Sequence, residues 1–414
     1  MICRALLDGA WRLNWHEVKP WFQPEALWQL GIEFAKTLWT AEEGYAAFNI
    51  GLLFEDGWVK RTKHKYEIGW CGQNASYANA LLADYLKCSN ADSLEKGLAV
   101  LDGWVKYSCL PGGLFRCHFP EDGEQTVIDA CNLGTAALRY FEAYDLAQKS
   151  GHPRPEYFDT AIGVCNFALK VQQPSGLLGK AWGEDGTIIV AEGTIGACLV
   201  PPLVEAWLRT GEDIYLDGAK KAYAYYFNEL QSSGYTTAGA LDTYCIDKES
   251  SISLLRGALM LLDATGDNDY LSHAEDAAWY LSTWQWHHSV EYPKDTELNK
   301  LHYDTFGGTA VSTAHHHIDP YAISYVPDLL KLAEYSGNAM WRQRALAAWN
   351  NGTQGISDGS LVVMGKLRPV GSQDEGFMHT RWNDTFNVSQ WLVAWPGAFR
   401  LEVLRSLDEA LLYP

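Results

Sequence analysis

The feature that most constrains this chain is a repeat. "SLLRGALMLLDATGDNDYLSHAEDAAWYL" (253–281) reads as helix, tight turn, helix, with apolar residues at helical spacing on both sides of Thr265-Gly266-Asp267. The same grammar recurs at 199–226 around Thr210-Gly211-Glu212 and at 320–351 around Ser336-Gly337-Asn338. Glycine is the expected helix stop in each. Stretches 78–104 and 126–169 supply two more hairpins, and helices near 26–39 and 388–407 are left to pair with each other. Six hairpins at a period of about sixty residues, with little strand signal outside the loops, predict an all-α fold. The reading is an (α/α)6 toroid of six inner and six outer helices, closed so that no repeat needs a cap. We expect a single domain over residues 1–414.

Composition agrees and excludes some functions. Of 414 residues, 47% are hydrophobic, enough for a large core, and the formal charge is −19. That charge argues against nucleic acid or an anionic membrane surface as a partner. No apolar run is long enough to span a bilayer. The nine cysteines show no CxxC pair or zinc-like spacing. Cys165 and Cys198, inside apolar runs, read as small core hydrophobes. Reduced thiols and an N-terminus without a signal-peptide pattern point to the cytoplasm, or to the periplasm if a signal has been removed. With 18 Trp, 22 Tyr and 14 Phe, the chain can supply both an aromatic core and platforms for sugar rings.

The turns inside hairpins are short, while the links into inner helices are long: 40–72, 106–130, 170–192, 229–249, 285–316 and 352–387. Long loops in compact domains are commonly functional. All six should open on one end of the toroid, the expected active-site face. An acid or polar cluster closes each link: Glu67, Asp129, Glu192, the group Asp242, Asp247 and Glu249, then His315, His316, His317 and Asp319, and last Asp374, Glu375, His379, Arg381, Trp382 and Asp384. One such acid is an ordinary N-cap. Six converging acids crowd negative charge and raise some carboxyl pKa values, which suits a general acid near neutral pH. Two carboxylates flanking a glycosidic bond are the minimum for its hydrolysis.

Two segments carry a family resemblance. Tyr66-Glu67-Ile68-Gly69-Trp70 resembles the H-D-I-G-F segment of the unsaturated glucuronyl hydrolases of glycoside hydrolase families 88 and 105, with Glu in place of Asp. Val127-Ile128-Asp129-Ala130-Cys131-Asn132-Leu133 is similar to their I-I-D-x-M-M-N-L segment, in the same order and hairpin positions. The family 154 β-glucuronidases share the architecture. The resemblance implies that Asp129 is the general acid/base and Glu67 its partner. It implies an exo-acting, β-glucuronidase-like glycoside hydrolase that removes a terminal uronic acid, saturated or unsaturated, from an oligosaccharide.

Alternatives stand beside several of these roles. Asp129 could be an N-cap only, and Glu67 could pair with Arg61, Lys63 or Lys65. Glu192 and Glu249 read as caps or acceptors for sugar hydroxyls, and Asp384 as a cap. Arg381 and Trp382 make a uronate clasp, guanidinium for carboxylate and indole for ring face, or Arg381 pairs with Asp374 or Glu375. Trp70, Gln73, Asn74, Asn132, Trp182, Glu192, Glu249, His315 and His317 are expected to contact substrate. Three consecutive histidines point in different directions, so no metal is expected, and no cofactor. A homo-oligomer is compatible with the sequence. The competing readings are a sugar epimerase or polysaccharide lyase using the histidine run, His287-His288 or Tyr321, and a non-catalytic carbohydrate-binding toroid.

Overall fold

The computed structural model describes residues 2–42, 44–119, 127–239, 241, 244–315, 317–378 and 387–412. The first helix, α1 (Ile2–Asn14), precedes the ring and packs on its outside. The ring then alternates. Outer α2 (Pro24–Leu38) is followed by α3 (Asn74–Cys88) with α4 (Ala91–Ser108), and by α5 (Ala130–Lys149) with α6 (Pro155–Val171). Next come α7 (Val200–Thr210) with α8 (Asp213–Ser233), and α9 (Glu249–Thr265) with α10 (Asp269–Thr283). A short α11 (Glu297–Lys300) lies in a link, and α12 (Val326–Ser336), α13 (Ala339–Gly352) and α14 (Trp395–Ser406) complete the circuit.

Each hairpin pairs as its spacing predicts, and α14 packs on α2, which closes the ring through the two chain ends. The inner helices touch in order, from α3 through α5, α7, α9 and α12 to α14 and back to α3. Gly211, Gly266 and Gly337 end their helices at φ of 72°, 70° and 64°, the left-handed region where a side chain is disfavoured. The hydrophobic core follows from this arrangement. One cluster runs from Leu27 to Leu412, with Trp104, Trp182, Trp341 and Trp349 fully buried in it. Helix α1 lay outside the hairpin reading. Its Trp11 is buried against Phe306 and under the Arg344 guanidinium, 4.3 Å from the indole centroid.

Six links lead into the inner helices at one end of the ring, and their short strands tie neighbouring links together. In the first, β1 (Trp39–Glu42) pairs with β2 (Tyr45–Phe48), and β3 (Gly51–Phe54) pairs with β4 (Trp58–Lys60). In the second and third, β5 (Ile128–Asp129), β6 (Ala181–Trp182) and β7 (Ile188–Val190) form one antiparallel sheet, with Asp129 opposite Ala181. The fourth holds β8 (Thr236–Thr237) and β9 (Ile246–Asp247), and the fifth β10 (Thr309–Ala310) and β11 (Ile318–Asp319). The sixth holds β12 (Val362–Val363), β13 (Lys366–Leu367) and β14 (Trp391–Val393), the last paired with β3. The first and last links are thereby joined across the seam of the ring. Among the described residues, no helix is long and apolar enough to cross a membrane.

Candidate active site

The strand β5 delivers Asp129 to the start of α5 with extended backbone, φ −125° and ψ 159°, as an N-cap requires. Its Oδ1 accepts from the Asn132 backbone N–H at 2.9 Å, so the capping role is real. Its second oxygen does something else. Oδ2 accepts from Asn132 Nδ2 at 2.8 Å, and the same nitrogen donates to Glu67 Oε1 at 3.0 Å. One amide nitrogen therefore holds two buried carboxyl groups from two different hairpins.

Glu67 is almost fully enclosed, at 1% exposure. Its Oε2 accepts from the backbone N–H of Cys71 (2.9 Å) and Gly72 (3.1 Å), donors presented by the turn that starts α3. Arg61, Lys63 and Lys65 do not pair with it: Lys65 is on Glu42 at 3.1 Å and Arg61 lies over Trp391. His118, opposite Glu67 in an antiparallel bridge, brings Nε2 to 3.6 Å from Oε1. Burial pushes the Glu67 carboxyl up to about 8, against the hydrogen bond from Asn132 and with the help of nearby Asp129. Burial likewise raises Asp129, opposed by its Asn132 hydrogen bonds and by the charge of Lys180. Gly69 explains part of the motif. Its N–H donates to Asn132 Oδ1 at 2.9 Å, and a Cβ there would stand 3.0 Å from that oxygen and 2.9 Å from Thr135 Cβ.

An axial cavity runs down the ring, and each inner element contributes to its wall, among others Gln73, Cys131, Cys198, Glu249, Tyr321 and Phe399. Glu249, in the first turn of α9, accepts from Trp70 Nε1 at 3.2 Å. Burial, with Asp247 and Asp319 nearby, pushes its carboxyl up to about 8 in spite of Lys248. Lys248 is itself committed to Asp319 at 2.7 Å, both side chains buried. The cavity lining also carries charge: Arg139 pairs with Glu142 and Glu402, and Arg256 with Asp328 at 2.9 Å.

Other expected contacts are placed elsewhere by the packing. Asn74 is fully buried and spends its side chain on the backbone of Phe48 and Glu67, and on the Trp104 indole. It holds the first link in place and presents no polar atom to a ligand. Trp182 is also fully buried, edge-on to Phe167, so it belongs to the core and not to a sugar platform. Asn132 has both its amide groups engaged within the carboxyl network, which makes it a positioning group. Gln73 donates to the Trp70 carbonyl at 2.8 Å, accepts from Ser76, and still borders the cavity. Glu192 is exposed on its loop. His315 and His317 stand 6.2 Å apart in the fifth link and are not among the described residues that line the cavity.

The remaining expectations divide in the same way. His287 packs on Trp11 and against Arg344, and burial lowers its pKa to about 4. Asp374 makes a buried bidentate pair with Arg368. Cys198, read as core, is partly exposed at the cavity wall. Arg381, Trp382, His316, His379, Asp242 and Asp384 lie outside the described residues. Among the described residues, no group of three or more His, Cys, Asp or Glu side chains is arranged to hold a metal ion. His118 escaped the sequence reading because it lies far from any helix start and meets Glu67 only through the tertiary bridge.

No family model and no curated protein matches the chain. Solved structures do. A cellobiose 2-epimerase from Bacillus thermoamylovorans superposes with a TM-score of 0.60 at 11% identity, over 92% of this chain and 98% of that one. A GH76 α-mannanase from Bacteroides thetaiotaomicron gives 0.58 at 14% identity, over 93% and 95%. An unsaturated glucuronyl hydrolase from a Bacillus species gives 0.56 at 13% identity, over 94% and 96%. The protein is a six-hairpin (α/α)6 toroid, the fold common to that epimerase, that mannanase and that hydrolase.

Proposed function

We propose that the protein is an exo-acting glycoside hydrolase that removes a terminal uronic acid from an oligosaccharide, with Asp129 as proton donor. The observation that carries the reading is the pair of buried carboxyls, Glu67 and Asp129, held by one Asn132 nitrogen at the loop-bearing end of the ring. Burial keeps a carboxyl protonated toward neutral pH, the state in which it can protonate a leaving oxygen.

Glu67 and Asp129 share a donor, so they act from one side of the substrate. Hydrolysis of a saturated uronide then needs a second carboxylate across the bond. Glu249 is the proposed second carboxylate, on the cavity wall with one oxygen on the Trp70 indole. An unsaturated uronate needs less, because protonating its enol-ether carbon already generates an oxocarbenium ion for water to attack. Arg381 and Trp382 are the proposed uronate clasp.

An aryl β-glucuronide and a lyase-generated unsaturated disaccharide, offered in parallel, test this reading. Release of the phenol supports the saturated substrate, and loss of the absorbance of the conjugated double bond supports the unsaturated one. Neither signal, with epimerisation of a free sugar instead, overturns the hydrolase. An epimerase is the second reading, favoured by Tyr321 at the cavity wall beside Glu249. The placement of His287 under Arg344, away from the cavity, counts against it.

A further inference from the structure

Two thiols meet in the wall of the axial cavity. Cys131 lies in the first turn of α5 and Cys198 in the 3-10 turn (Ile195–Leu199) that leads into α7. The two elements are pressed together. Three residues along α5 from Cys131, a Cβ on Gly134 would fall 2.2 Å from the Cys198 carbonyl oxygen and 3.1 Å from the Cys198 Cβ. Residues three apart share a helix face, so the glycine that permits this contact also brings Cys131 to Cys198. The Cys131 and Cys198 thiols lie close enough to perturb each other. Ser253 Oγ, from α9, donates to the same sulfur at 3.1 Å.

We propose that Cys131 and Cys198 are a redox-active dithiol, closed to a disulfide by a low-molecular-weight disulfide, such as oxidised glutathione, that enters through the open end of the ring. Cys198 attacks first. It is the more exposed of the two, and its sulfur accepts from Ser253 Oγ and lies near the Arg256 guanidinium, both of which favour the thiolate. The Cys198 thiolate attacks one sulfur of the reagent, the reagent's S–S bond breaks, and one thiol leaves with the proton that Cys198 gave up. The Cys131 thiolate then displaces the second thiol from the mixed disulfide, again with transfer of its proton. Both protein sulfurs are oxidised by one electron each, and the reagent is reduced to two thiols.

The cross-link has a structural consequence. A disulfide needs its sulfurs roughly 2 Å apart, closer than any contact between free thiols. Closing it pulls the first turn of α5 toward α7, and that turn also carries Asn132 and the Asp129 cap.

The test is made on the folded, full-length chain, incubated with oxidised glutathione, alkylated and mapped by mass spectrometry. The protein should lose the mass of two hydrogen atoms, with the peptides of Cys131 and Cys198 linked, and a thiol reductant should restore it. Cys131→Ser should stop at a glutathione adduct on Cys198, and Cys198→Ser should form neither adduct nor link at this site. A link through another cysteine, such as Cys71, would overturn the proposal. So would a wild-type protein that keeps both thiols while exposed Cys88 takes up glutathione. If a variant loses its native circular dichroism, the wild-type map alone decides.

Discussion

Glu67 and Asp129 come from hairpins more than sixty positions apart in the chain, yet both accept from one atom, Nδ2 of Asn132, at 3.0 and 2.8 Å. The amide is fixed from its other end by the Gly69 N–H. Neither carboxyl can rotate freely without leaving a buried donor unpaired, which is costly in a dry environment. The arrangement keeps two groups of like charge close and makes double ionisation unfavourable.

Asp129 is both a cap and a member of this network, and Asp129→Asn separates the two functions. The new amide has a single oxygen, so it can keep the cap to the Asn132 N–H or the bond to Asn132 Nδ2, and not both. Stability should fall by about 1 kcal/mol, the usual net worth of one hydrogen bond. If Asp129 donates the proton, turnover should fall by about 10²–10⁴-fold with little change in substrate binding. Normal turnover in a folded Asp129→Asn protein would return Asp129 to the role of a cap.

Asn132→Ala removes the shared donor and leaves both carboxyl groups buried without it. Loss of stability should be about 1–3 kcal/mol, the cost of unsatisfied buried groups. The pH–activity profile should also move to higher pH, because the hydrogen bond that favours the ionised forms is gone. A lower activity with an unmoved profile would show that Asn132 only packs. Gly69→Ala should mimic the shift in milder form, by crowding the Asn132 oxygen.

Stability should fall with rising pH through the titration of Glu67. Its pKa is raised from 4.5 to about 8 on folding, so between these values the native state holds a proton that the unfolded state has lost. No penalty exists below pH 4.5, where both states are protonated, and it is complete above about 8. Denaturant midpoints across this range should decline in the wild type and decline less in Glu67→Gln. An identical slope in both proteins would place the proton elsewhere, with Glu249 the next group to replace.

His16 fastens the segment after α1 to the fifth link. Burial alone would lower its pKa, but Nε2 on Asp304 at 2.6 Å and Nδ1 on the Asn14 carbonyl at 3.0 Å raise it overall. Both partners are acceptors, so the imidazolium is the form that satisfies them. Its contribution is present in full below the ordinary value of 6.5 and is lost as pH rises through the elevated folded value. Limited proteolysis of the α1 segment should accelerate above that value in the wild type, and His16→Gln should cut equally at both ends of the range. A wild-type rate independent of pH would contradict this.

What the sequence determined on its own was the periodic part of the protein. Apolar spacing at 3.6 residues and glycine stops at Gly211, Gly266 and Gly337 specify hairpins locally, because each signal acts within a few residues of itself. Ring closure by α2 and α14 followed from there being one unpaired helix at each end. The position of Asp129 at the mouth of α5 was equally local, since an N-cap is defined by the next three residues. The carboxyl network was decided only by the tertiary structure. Glu67 stands two residues from Lys65 in the chain, which made an ion pair plausible, but the turn before α3 aims it inward to Asn132. His118 joins it through a strand bridge, and Cys198 reaches Cys131 because Gly134 lets two backbones touch. Such contacts depend on how separate hairpins dock, on shape and depth of burial, and no spacing within one hairpin encodes them. The same reason took Asn74 and Trp182 from the expected sugar-binding surface into the interior.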